Sequence, residues 1–430
     1  MKTTKKVILL VVTNLVISIS LFANNDPFNK YLDSKPPTII REISIKESLG
    51  VIVREVTFFL KDSSAVYAVI ATPKAKGKYP GILILHGGGG MAEKKKAIAW
   101  AQRGYVAVAP DLPGIANPYD LIYTKGRWNE LKYGTERYVA KPDVTTSVIF
   151  DAVLSGMKSL YLLRSQPSVI SSKIGVVGVS WGGYLTTMIC GLAGNQVEAG
   201  FSVFGCGFYE LTSQQPTLQQ MSETERKQWL KYLDAGRRAN NIKAAFFIAG
   251  AANDFFYWPK AVQKTLDVIT AEKNHVYAPN VTHKIPLPGG SVFEVKPATT
   301  FTPTAFQPYP TPSGSGANWL AMEVPYMDFY LKGVGKPFPK VIVNKTEDAQ
   351  IANFTIETSV AISKVEVYWS INCPEPTKCL WNAIIPVEIG VNKYQVKLPD
   401  DAAEWFVVAS DERPVSVSSD LMYTNNNLQK

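Results

Sequence analysis

Histidine is scarce in this chain: 430 residues contain only His86, His275 and His283. No His or Cys cluster has metal-ligand spacing and H-E-x-x-H is absent, so no metal is expected. The glycine-rich run at 87–90 is not followed by a Lys-Ser or Lys-Thr pair at the spacing of a phosphate loop. It also lacks a credible dinucleotide fingerprint, and no cofactor is expected. Low-complexity runs are missing too. With 46% hydrophobic and 19% charged residues, the chain can bury a large core and should fold, and its length suggests two domains.

Only one long apolar stretch occurs, Val7 to Phe22, preceded by Lys2, Lys5 and Lys6 and followed by Ala23. Residues 1–23 therefore read as an export signal, and Thr13, Asn14, Ser18 and Ser20 dilute the stretch too much for a good membrane span. No Cys follows it, which argues against a lipoprotein-type anchor. The expected mature chain is secreted or periplasmic, of bacterial origin, with no membrane span. Loss of three lysines lowers the formal charge from +9 to +6. The run Lys94 to Lys96 falls in an expected helix and reads as a solvated face, so no nucleic-acid partner is expected.

Of four cysteines, Cys373 and Cys379 flank two prolines in a short loop, a plausible disulfide in an exported protein. Cys190 and Cys206 read as buried free thiols. Sequons begin at Asn280, Asn344 and Asn353, but a glycan on Asn280 would crowd His283.

From residue 54 onward strand-like and helix-like segments alternate, which predicts an α/β fold, a mostly parallel sheet with helices on both faces. Eight strands are expected: 54–61, 65–73, then YPGILILHG, GYVAVAP, KIGVVGVS, EAGFSVFG, KAAFFIAGA and KNHVYAP. Helices are expected over 93–103, 144–164, 181–193, 222–236 and 258–270, and in WLAMEVPYMDFYLKG, capped by Gly333. A long loop at 113–143 carries Tyr119, Tyr123, Trp128, Tyr133 and Tyr138 and reads as a lid or substrate wall. A second irregular loop covers 286–316. Past about residue 338 the pattern turns to period two without helix signals, which predicts a small Ig-like β-sandwich over 338–425. The sandwich reads equally as a packing or a carbohydrate-facing module. The first domain is then 24–335.

The chemistry centres on Gly178-Val179-Ser180-Trp181-Gly182, which follows the fifth expected strand and opens a helix. A nucleophile on so sharp a turn needs small residues two positions either side. Serine needs a base. His86 ends the third strand and His275 begins the eighth, at the far side of the sheet, which leaves His283, just past that strand at the nucleophile's end. Asp254, directly after the seventh strand, completes the order Ser, Asp, His; Glu210 is the reserve acid. The backbone N–H groups of Trp181 and of Gly88 or Gly89 are candidates for an oxyanion hole. Phe255, Phe256, Tyr257, Trp258 and Trp181, with Tyr123 and Trp128 of the long loop, form a candidate substrate wall.

Through HGGGG, GVSWGGY, GAAND and PNVTH, residues 50–335 resemble the α/β-hydrolase superfamily, and in VVGVSWGGYLTT, YVAVAPDLPG and YLKG most of all dienelactone hydrolases and bacterial acetyl xylan esterases. Trp181 stands where one branch of those esterases has Gln after the nucleophile. The resemblance implies an eight-stranded α/β-hydrolase sheet and a serine esterase that cleaves small-molecule or glycan esters, acetyl esters among them. The competing readings are a prolyl-oligopeptidase-like serine peptidase, although 50 residues before the domain cannot build a propeller, and a catalytically silent binding protein.

Overall fold

The computed structural model describes residues 26–48, 50–117, 120–130, 137–280, 282–286, 292–294, 320–344, 350–372, 375–413 and 415–424. The proposed signal segment, Tyr119, Tyr133, Cys373 and most of the 286–316 loop lie outside them.

Apolar runs of strand length, buried where parallel strands lie between helix layers, build most of a nine-stranded sheet. Its strands are β1 (Ile39–Ser48), β2 (Val51–Phe59), β3 (Ala65–Pro73), β4 (Tyr79–Leu85), β5 (Val106–Pro110), β6 (Val169–Val179), β7 (Ala199–Val203), β8 (Ala245–Ala251) and β9 (Lys273–Ala278). The spatial order is β1-β2-β3-β5-β4-β6-β7-β8-β9. The first three strands and β5 pair antiparallel, and from β5 onward every neighbour is parallel. The sequence predicts eight strands; the ninth is the N-terminal β1. Its edge position leaves Ile40 and Ile45 exposed, so the strand lacks the apolar continuity that marks the others.

Helices close both faces. α1 (Lys94–Gln102) and the last helix, α6 (Leu320–Met327), which ends in a π turn over Asp328–Lys332 and is closed by left-handed Gly333, share one apolar cluster. On the other face lie α2 (Val148–Arg164), whose Ser147 cap accepts the Ile149 N–H, and α3 (Trp181–Ala193). α4 (Glu223–Leu233) and α5 (Pro259–Val268) join the same cluster. Most of these bounds fall within a few residues of those expected. Lys96 corrects the reading of α1: it is buried, 3.2 Å from Glu323 Oε2, so a charge pair and not a solvated face explains it.

Two short strands, β10 (Lys284–Pro286) and β11 (Val292–Glu294), pair antiparallel, and the C-terminal region after α6 is all β. One sheet has the order β12 (Lys340–Asn344), β13 (Ile351–Glu357), β17 (Lys393–Lys397), β16 (Val387–Gly390). The second has β15 (Asn382–Ile384), β14 (Ile362–Ser370), β18 (Glu404–Asp411) and β19 (Ser416–Ser418), with β20 (Met422–Tyr423) also on β18. This second sheet docks on the open edge of the large one. Tyr277 N–H donates to Ser418 Oγ at 2.9 Å, and His275 Nε2–H to Ser419 O at 2.9 Å. His275 thus serves the join between the two sheets.

Among the described residues no helix is long and apolar enough to cross a membrane.

Candidate active site

The turn from β6 into α3 places Ser180 at φ 57°, ψ −118°, a backbone conformation that costs an L-residue free energy and persists only where its surroundings enforce it. Ser180 N–H donates to Val203 O at 2.7 Å, and Ser180 O accepts the Tyr184 N–H at 2.9 Å. The flanking glycines are required sterically. A Cβ on Gly178 would lie 2.2 Å from Gly182 O, and one on Gly182 would lie 2.0 Å from Leu85 O.

Ser180 Oγ is 2.8 Å from His283 Nε2, and His283 Nδ1 is 2.8 Å from Asp254 Oδ2. A carboxylate only accepts, so Nδ1 carries the proton and Nε2 is left to accept the Ser180 hydroxyl. Asp254 is held in turn: its Oδ1 accepts the N–H groups of Phe256 at 2.7 Å and Tyr257 at 3.0 Å. Both His283 and Asp254 are fully buried, and Ser180 keeps 6% of its surface exposed. Glu210 is elsewhere, ion-paired with Arg237.

The glycine run behind Ser180 is fixed by His86. Its Nε2 accepts the Leu112 N–H at 2.9 Å, and its Nδ1–H donates to Gly87 O at 2.8 Å. Burial pushes this imidazole down to about 4. Gly87 lies beside the nucleophile, where a Cβ would come 3.6 Å from that of Ser180. Of the two expected oxyanion donors in the run, Gly89 is spent, because its N–H donates to Ile115 O at 2.9 Å. Gly88 N–H and Trp181 N–H, at the first turn of α3, have no such partner among the described residues.

The candidate substrate residues divide. Phe255 lies 5.7 Å, Phe256 5.0 Å and Tyr257 6.2 Å, centroid to centroid, from the His283 ring. Tyr257 is buried, with its hydroxyl 3.1 Å from that of Tyr209. Trp258 instead borders a cavity of about 180 Å³ shared with Trp381 and Glu404 of the sandwich. Trp128 is core, packed over Gly126, and Tyr123 stacks on Tyr67 at 5.6 Å. The long loop reaches the nucleophile turn through other residues: Tyr138 lies 6.2 Å from Trp181, and the Arg137 guanidinium sits 5.3 Å over that indole. Leu121, Trp128 and Ala140 fasten the rest of the loop into the core, which is why the tryptophan is unavailable.

Three further residues stand beside the triad: Phe204, which belongs to no motif, and Asn253 and Asn280, which lie within GAAND and PNVTH. Phe204, after β7, packs its ring 5.0 Å from His283. Asn253 and Asn280 flank the acid and the histidine and bond across to the C-terminal region. Cys379 is disulfide-bonded, its expected partner Cys373 lies outside the described residues, and Cys190 and Cys206 are buried free thiols. Among the described residues no cluster of His, Cys, Asp and Glu could hold a metal ion.

A nine-stranded, mostly parallel sheet with a strained serine at a strand-to-helix turn defines an α/β hydrolase. The dienelactone hydrolase family model matches residues 66–283, just over half of the chain, and the chain belongs to that family. Solved structures similar to this chain include acetyl xylan esterase 1 from Thermoanaerobacterium sp. JW/SL YS485. It is 19% identical, with a TM-score of 0.51 over 61% of this chain and 88% of that one. An acetyl xylan esterase from Paenibacillus sp. R4 is 20% identical over 61% of this chain and 88% of its own, with a TM-score of 0.47. An S-formylglutathione hydrolase from Agrobacterium tumefaciens is 16% identical over 57% and 92%, with a TM-score of 0.40. No curated protein matches the chain.

Proposed function

We propose that this family member is a secreted or periplasmic serine esterase acting on carboxylic esters, acetyl esters of carbohydrates among them. The observation that carries the reading is the unbroken chain Ser180, His283, Asp254, with 2.8 Å at each step, on a strained turn. Ser180 Oγ attacks the ester carbonyl while His283 Nε2 takes its proton. The C=O π bond opens to an oxyanion, which the Gly88 and Trp181 N–H groups receive. Collapse expels the alcohol, which leaves with the proton from His283. Water then repeats the sequence on the acyl-serine and releases the acid. Asp254 holds the imidazole in its working tautomer and stabilises its positive charge in the transition state. Phe255 and Phe256 beside His283, and Trp181 with Tyr138, offer apolar surface of the kind that stacks on a sugar or aryl ring.

The test compares p-nitrophenyl acetate and acetylated xylan with amide substrates. Wild type is expected to hydrolyse the esters faster, and Ser180→Ala to lower kcat by at least about 10³-fold. Faster turnover of amides would replace esterase with peptidase.

A further inference from the structure

We propose that the sandwich loop joining β14 to β15 is part of the support of the active site, and that Asn253 and Asn280 are positioning residues through which it holds Asp254 and His283. The proposal rests on the triad reading above.

Asn253 precedes Asp254 and is fully buried. Its side-chain Nδ2 donates to Pro376 O at 3.0 Å and to Cys379 O at 2.7 Å, so both amide protons are engaged by the loop. Asn280 stands three residues before His283 in the left-handed region, φ 56°, which asparagine tolerates better than most residues. It grips one loop residue at two points: Nδ2 donates to Trp381 O at 2.8 Å, and Oδ1 accepts the Trp381 N–H at 2.9 Å. This pairing imitates a backbone ladder, because a side-chain amide carries a donor and an acceptor side by side on one planar group, as a peptide group does.

The loop is a firm abutment. Cys379 is tied by a disulfide, and the Trp381 ring packs 4.8 Å from Phe406 in β18. Four hydrogen bonds, buried or nearly so, therefore connect a stiff part of the sandwich to the two segments that carry the acid and the histidine. Among the described residues nothing comparable reaches the serine, whose turn is held by its own sheet. Catalysis is sensitive to sub-ångström placement of such groups, and misplacement by about 1 Å can cost about 10²-fold in rate. The sandwich thus completes the catalytic geometry from outside the hydrolase sheet.

The alternative is that these amides only glue the two regions together. Asn253→Ala and Asn280→Gly, the glycine keeping the left-handed backbone, separate the two ideas when set against Ser418→Ala. That control removes a docking bond to the β9 backbone at Tyr277 and leaves every hydrogen bond of Asn253, Asn280 and the triad in place. All are assayed in the full chain with p-nitrophenyl acetate well below their melting temperatures. In parallel, the downfield proton resonance of the His283 Nδ1–H bonded to Asp254 is followed by NMR, assigned by its loss in His283→Ala. Both asparagine variants are expected to lower kcat about 10- to 100-fold with KM within about twofold, and to shift or broaden the resonance. Ser418→Ala should lower only the melting temperature. An unchanged resonance and a kcat within about twofold of wild type in both asparagine variants would overturn the proposal. The resonance reports geometry and not turnover, so it decides the matter even if the ester proves a poor substrate. Full activity in Ser180→Ala would instead sink the triad reading itself.

Discussion

Nε2 of His86 accepts the Leu112 N–H, which fixes the proton on Nδ1 and ties the imidazole to Gly87 O. Only the neutral ring can do both, and burial brings its titration down to about 4 from its ordinary 6.5. Between those values the unfolded chain binds a proton that the folded chain refuses, so stability falls as the pH drops from 6.5 to 4. The loss attributable to this group is about 3 kcal/mol. In His86→Gln, whose side-chain oxygen still accepts from Leu112, urea titrations at the two pH values should show a correspondingly smaller loss. An equal loss in both proteins would place the acid sensitivity elsewhere, for instance at buried His275, whose titration is also lowered by burial.

At the scale of elements, the strand, turn and helix around Ser180 were the most legible part of the chain. A buried apolar strand, a glycine on each side and a long apolar helix all demand the same geometry. The backbone contact of Gly182 with Leu85 gives that motif its steric content. Gly182→Ala should destabilise by about 3 kcal/mol, because the methyl group meets a strand carbonyl and not a movable side chain. Denaturation in urea reads this, and a change under about 0.5 kcal/mol would show that the turn has slack. β1 was not legible, since an edge strand with exposed isoleucines carries little periodic signal. The role of Trp128 was missed for a related reason. Aromatic residues in a long loop look available for a ligand, but whether the loop folds back on the core depends on contacts distant in sequence.

Across the whole molecule, the order of β6, β8 and β9 in the sheet brings Ser180, Asp254 and His283 to one rim, although more than 100 residues separate the first from the last. Parallel strands all present their ends on the same side, so the motifs at those strand ends point to one rim. The contribution of the sandwich could not be read this way. Asn253 and Asn280 meet partners that lie 123, 126 and 101 residues away, in a region with a different hydrophobic period and no motif of its own. The central claim is that these three side chains act as one nucleophilic unit. It is tested most directly by treating the folded protein with a fluorophosphonate and mapping the adduct by mass spectrometry. A single adduct on Ser180, lost in His283→Ala, is the expected result. A folded protein that stays unlabelled, or carries its adduct on another residue, would contradict it.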